Sequence, residues 1–267
     1  MAEDAYASPF FQRERLALPP GGPRLGAEGA LVELAGRDSV AAAAALAREG
    51  RLHRILPVIA YTGTEFGEMS SLARAEERMR RALAPFGVEV LEAAVVGSPL
   101  WWRAVVGRPN TVLARRYGPW HICVGCHMYL HACRVPAAWS TGAARLVAGE
   151  RLRHGGRVKV NQTGEAVEAY RRVLGTCGVE LELPLLRLDD EEAIVSLAGD
   201  WREGEEQPEC VMAGNYRRMD GSADLDPAAL RAYLEEYLVP VTLRILDELK
   251  EGGTADYEEA VREVLRG

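Results

Sequence analysis

The chain has 267 residues, with 39 Asp and Glu against 32 Lys and Arg, a formal net charge of -7, and 48% hydrophobic and 27% charged residues. This balance excludes a disordered or collagen-like chain and argues against a uniformly basic nucleic-acid coat. No run of 18 apolar residues occurs, and the N-terminus is of mixed charge without an apolar core, so a cytoplasmic protein without a membrane helix is expected.

Residues 1–28 are rich in Pro and Gly and read as an extended segment. Residues 30–34 predict a buried strand, followed by an Ala-rich helix over 40–48. A second strand over 55–60, a helix over 68–83 and a third strand over 88–96 come next. A helix over 126–138, a fourth strand over 144–148, a helix over 166–174 and a fifth strand over 179–183 complete the alternation. The last 40 residues predict two amphipathic helices, over 227–249 and 257–265. The expected fold is α/β: a mostly parallel five-stranded sheet with helices on both faces, plus C-terminal helices. Its parts are a segment 1–28, an α/β domain 29–220 and a helical extension 221–267.

Charge is uneven along the chain. Residues 103–172 hold 12 basic and three acidic residues, whereas residues 188–267 hold 21 acidic and eight basic. Either a basic mouth faces an anionic ligand beside an acidic tail, or both blocks disperse into solvated faces on folding.

The first strand runs into Leu34, Ala35, Gly36, Arg37, Asp38 and Ser39, and then into a helix. A Gly turn at that place lets backbone N–H groups and the helix N-terminus face an anion, with Ser39 able to donate to a phosphate. Asp38 fits beside a phosphate if it orders the loop or holds Mg²⁺. The plain alternative is a β–α turn with a Ser/Asp cap.

Cys123 and Cys126 form a C-x2-C pair that can place two thiolates on one metal. A structural zinc could add two of His127, His131 and Cys133; a redox dithiol or an iron–sulfur cluster with a third Cys are the other readings. The C-x2-C-H haem pattern is set aside for want of an export signal. Cys133 and Cys177 read as small core hydrophobes. His127 and His131, i,i+4 on one helix face, suit a metal or a structural pair.

The basic stretch with Arg151, Arg153, His154, Arg157 and Lys159 can hold phosphates or an anionic substrate, and Asn161 and Gln162 can read an amide or a base edge. A solvent hairpin turning at Gly155 and Gly156 is the alternative. Trp101, Trp102 and Trp120 suit base stacking or the core, and residues 215–218 could line the mouth near Cys210.

The glycine loop resembles the SGGxDS loop of the PP-loop (N-type ATP pyrophosphatase) superfamily, whose fold is adenine nucleotide alpha hydrolase-like. Gly36, Asp38 and Ser39 match it, Arg37 takes the variable position, and Leu34 and Ala35 replace the first Ser and Gly. Residues 61–65, with Thr62 and Gly63, resemble the region that meets the adenosine. Gly149 follows the fourth strand, where such proteins carry a Gly loop near the nucleotide. The resemblance covers roughly residues 28–215. It implies that ATP with Mg²⁺ adenylates a carbonyl-type oxygen, releasing pyrophosphate, before a nucleophile displaces AMP.

Cys123, Cys126 and Cys210, the third 84 positions after the second, resemble the layout of the iron–sulfur-dependent tRNA thiolation branch. That resemblance implies a 4Fe–4S cluster with one open iron that takes sulfide from a sulfur donor, and a tRNA base as substrate. The acidic total makes a small molecule an alternative acceptor, and a homodimer is left open. The expected function is an ATP-dependent adenylating sulfurtransferase. The alternatives are amidation or desulfuration with zinc at the Cys pair, or a nucleotide- or RNA-binding module without turnover.

Overall fold

Short apolar runs bounded by turn residues form strands buried on both faces, and the amphipathic stretches cover them. A computed structural model describes residues 14–26, 28–66, 71–154, 158–199, 201, 209–220 and 222–266. Residues 1–13 and 27 of the expected extended segment, 68–70 of the expected second helix, and Gly155, Gly156 and Arg157 lie outside the described residues.

The main sheet is parallel throughout. β1 (Ala30–Glu33) pairs with β2 (Arg54–Tyr61) on one side and β6 (Arg145–Val147) on the other. β7 (Glu180–Glu182) closes the far edge. The single strand expected over 88–96 is two short strands, β4 (Glu89–Val90) and β5 (Ala94–Gly97), both alongside β2. Six strands therefore fill five positions. Side chains of the neighbouring α2 (Ser71–Leu83) hold the break open. Arg80 donates to the carbonyls of Val90 and Leu91, and Glu76 accepts from the Ala93 N–H, so these backbone groups leave the ladder satisfied.

One face of the sheet, with Val32, Ile59 and Val147, packs on α1 (Arg37–Arg48), α2 and α8 (Glu191–Ala198). The alanines of α1 at 41–44 are at most 2% exposed; small side chains let this helix lie close to the strands. The other face, with Leu31, Leu56 and Leu146, packs on α5 (His121–Ala132), α6 (Val135–Thr141) and α7 (Gly164–Thr176). The C-terminal helices α9 (Pro227–Tyr233), α10 (Val239–Gly252) and α11 (Tyr257–Arg266) join that same core through Tyr233, Leu246 and Tyr257. Trp101 and Trp120 are buried there against Tyr257 and Tyr233. They pack and cannot stack a base; only Trp102 reaches the cavity described below.

α5 begins at His121, five residues before the expected helix start. The C-x2-C pair is therefore inside the helix, not ahead of it, and i,i+3 spacing keeps both sulfurs on one face.

The acidic tail folds onto the basic block. Arg116 bonds Glu236 at 2.6 Å, Arg172 bonds Glu235 at 2.6 Å, and Arg108 pairs with Glu258. Three of the twelve basic residues counted over 103–172 are thus matched on the helical side. No helix among the described residues is long and apolar enough to cross a membrane.

The strand order reverses between β1 and β6, so the loops leaving their carboxyl ends, 34–36 and 148–151, diverge. Open parallel sheets bind ligands in the crevice at such a switch point.

Candidate functional site

A cavity of about 590 Å³ opens beside this point, over the carboxyl ends of β1 and β2 and against α5. Its walls include Leu34 and Ala35 from the glycine loop, Thr62 and Thr64 after β2, and Cys123, Cys126 and Cys210. The three cysteines separated by up to 87 positions therefore share one space. Cys210 reaches it on β8 (Glu209–Cys210), which pairs antiparallel with β3 (Glu65–Phe66), with Glu65 opposite Cys210. Thr64 Oγ1 lies 3.3 Å from Cys210 Sγ, and the Met212 N–H donates to the same sulfur at 3.4 Å.

Burial pushes the Cys123 thiol up to about 11, the charge of Cys210 adds to that, and Arg217 opposes it. Burial pushes Cys126 up further, against the Trp102 indole. As free groups these thiols stay protonated at neutral pH; a coordinated metal ion would remove the protons outright. Three thiols in one partly enclosed cavity are a donor set that fits an iron–sulfur cluster or a zinc ion.

The turn after β2 is built around a carboxylate. Glu65 accepts from the N–H groups of Thr62 and Gly63, both at 2.8 Å, and from Thr62 Oγ1 at 2.9 Å. Gly63 sits at φ 89°, a left-handed conformation that suits glycine. This turn carries β3 and so positions Cys210.

The glycine loop is self-contained. Ser39 Oγ accepts from the Ala35 and Gly36 N–H groups and donates to the Gly36 carbonyl. Its hydroxyl is committed to closing the loop. Asp38 accepts from Arg151 Nε at 3.0 Å and from Arg37 Nε at 3.2 Å, and both arginines also bond Glu191. Asp38 thus orders the loop through a four-residue charge network. Gly149 makes that network fit: a Cβ there would lie 2.5 Å from the Asp38 carbonyl carbon and 2.6 Å from the Ser39 nitrogen. One Nη of the fully buried Arg151 keeps no hydrogen-bond partner among the described residues.

The remaining basic-stretch residues separate. Lys159 and Asn161 line the cavity. Burial pushes the Lys159 ammonium down, with Asp38 and Glu150 pulling it back. Gln162 is buried and bonded to His154, which lies 3.8 Å from Asp38. Arg153 is exposed and forms no part of the cavity wall. Tyr216 and Arg217 line the mouth near Cys210, and Asn215 and Arg218 do not. Cys133 and Cys177 are buried in the core.

Two groups escaped the sequence reading. Glu33, at the end of β1, pairs with the buried Arg134 at 3.2 Å and accepts from the Gly149 N–H at 3.3 Å, so it ties the two diverging loops together. Glu150 is 3% exposed and receives both His127 and His131. A Glu ending a buried apolar run, and another directly after a loop glycine, were the available signals.

An alignment of 241 residues at 33% identity covers 88% of this chain and 86% of an uncharacterized protein of Methanocaldococcus jannaschii, MJ0009. This chain belongs to the MJ0009 family. No family model matches it. The alignment spans most of both chains, so the family shares more than an isolated motif, although a relative of this description carries no activity across.

Proposed function

We propose that this member of the MJ0009 family is an ATP-dependent adenylating sulfurtransferase of the PP-loop type, acting on a tRNA base or a small molecule. The observation that carries the reading is the meeting of Cys123, Cys126 and Cys210 in one cavity with Leu34 and Ala35 of the glycine loop, beside the switch point of the sheet. A nucleotide bound at that loop would have its reactive phosphate beside the thiols.

In this reading ATP lies across the carboxyl ends of β1 and β2, with Thr62 and Thr64 near the nucleoside and the first turn of α1 toward the phosphates. Lys159 supplies a cation on the cavity wall. Arg37 and Arg151, bonded to Asp38 and Glu191, hold the loop and the first turn of α1 in place for the phosphates. The acceptor oxygen attacks the α-phosphorus and pyrophosphate leaves. A sulfur nucleophile then bonds the activated carbon, and AMP departs with the original oxygen. A 4Fe–4S cluster held by the three cysteines would supply an open iron for that sulfur. The apolar walls, with Ile59, Leu72 and Ile122, exclude water from the activated carbon.

The reading is tested by anaerobic turnover with α-labelled ATP, a sulfide source, and either unmodified tRNA or a panel of small amides and carboxylates. The expected outcome is AMP and pyrophosphate with sulfur in the acceptor. Hydrolysis to ADP, or AMP formation with nitrogen incorporated or sulfur removed, contradicts it.

A further inference from the structure

We propose that His127, His131 and Glu150 form a second, thiol-free metal site, a three-ligand centre for a borderline divalent cation such as zinc. The two sites share no ligand residue, so this inference stands independently of the cysteine cluster.

The geometry is that of a converged donor set. His127 and His131 are one turn apart on α5, and Glu150 arrives from the loop after β6. His127 Nδ1 lies 2.8 Å and His131 Nε2 3.0 Å from the same carboxylate oxygen, Oε1 of Glu150. All three ligand atoms fall within 4.8 Å of one another. Two imidazoles and a carboxylate are the ligand types that zinc and neighbouring transition metals take, whereas calcium and magnesium prefer all-oxygen sites.

The burial calls for a charge that the protein does not place there. Glu150 is 3% exposed and His131 is 0% exposed. Among the described residues no Lys or Arg forms an ion pair with Glu150, and its second oxygen, Oε2, has no hydrogen-bond partner. A carboxylate taken out of water is costly unless a cation or a full set of donors meets it. A divalent ion between the three groups meets that need and leaves the local charge at +1 with neutral imidazoles.

The surroundings of His127 also match a metal ligand. Its outer nitrogen, Nε2, lies 2.7 Å from the side-chain amide of Asn161. Rotating the amide by half a turn presents its oxygen, which would accept the Nε2–H of a ring ligating through Nδ1, the outer-sphere contact that fixes ring orientation in metal sites. His127 and Asn161 line the cysteine-bearing cavity while His131 does not. A position on the ion left open by the protein would therefore be reached from the space that holds the thiols.

The experiment is a titration of the chelator-treated full chain with Co²⁺ and then Zn²⁺, in a C123S/C210S background that leaves Cys126 as the single thiol lining the cavity. One equivalent of Co²⁺ is expected, with d–d absorption and no sulfur-to-cobalt charge-transfer band. Adding E150Q, which keeps the shape and one acceptor oxygen, is expected to weaken binding about 100-fold, and N161A about tenfold. Circular dichroism of the metal-free variants checks the fold; should E150Q not fold, H131Q serves in its place with the same expected loss. Absence of binding in C123S/C210S, unchanged affinity in the ligand variants, or a charge-transfer band overturns the assignment. Iron lost in C123S/C210S with cobalt binding intact separates this site from the cysteine cluster.

Discussion

The two sides of the switch point are built on opposite terms. On the glycine-loop side nearly every polar group is spoken for: Ser39 closes its own loop, and Asp38, Arg37, Arg151 and Glu191 neutralise one another. On the α5 side, groups are brought together and left unsatisfied: three thiols face one cavity, burial raising the pKa of Cys123 and Cys126, and Glu150 and His131 keep buried atoms without partners. A self-satisfied cluster holds shape, while an unsatisfied one marks where an exogenous group belongs. Under the proposed function the first side positions the nucleotide end of the cavity and the second carries the sulfur chemistry.

The largest expected effect breaks the open side. Cys210→Ser removes the one thiol delivered by β8 and is expected to abolish sulfur transfer, measured as sulfur in the acceptor, while thermal unfolding stays close to wild type. Retained transfer would mean that Cys210 is only a neighbour.

The next breaks the closed side. Gly149→Ala drives a Cβ into backbone atoms of Asp38 and Ser39, which cannot move away as a flexible side chain would. Overpacking of this kind is expected to cost about 3 kcal/mol in denaturant unfolding, with weakened ATP binding. A loss near zero would show that the two loops are not packed as described.

A smaller effect lies in pH. Burial holds the His154 pKa below its ordinary value, with Lys159 and Arg151 acting the same way and Gln162 and Asp38 against. The unfolded state therefore binds more protons, so His154 contributes stability above about pH 6.5 that is lost as pH falls below it. His154→Gln is expected to flatten that part of the stability profile between about pH 7 and pH 5, followed by thermal melting. An unchanged slope would contradict the assignment. The smallest effect is at the helical side: Arg116→Ala, which loses an exposed pair with Glu236, is expected to cost less than about 1 kcal/mol.

The fold was legible because hydrophobic runs and their alternation with amphipathic stretches are local signals, and β1, β2, β6 and β7 fall where those runs are. The break between β4 and β5 was not, since it depends on Arg80 and Glu76 reaching from α2. Residues 99–116 carry two short helices, α3 (Pro99–Trp102) and α4 (Asn110–Arg116), that the sequence reading did not assign; neither is long enough to show a helical period. In the site, the C-x2-C spacing and the glycine turn were readable, and the structure brings Cys210 to the pair. The partners that define each side were not readable: Glu33 with Arg134, Glu191 with Arg151, and Glu150 with its histidines are tertiary pairings with no fixed spacing. Net charge misled in the same way. Three of the twelve basic residues of the block, Arg108, Arg116 and Arg172, are answered by the tail that follows it in sequence, pairings that only the docking of the C-terminal helices creates.

The most direct test of the central claim counts iron and acid-labile sulfide in anaerobically purified protein, wild type beside Cys210→Ser. The account predicts about four of each per wild-type chain and their loss in the variant. A colourless wild-type protein holding zinc at the cysteine pair, unchanged when Cys210 is replaced, would contradict it.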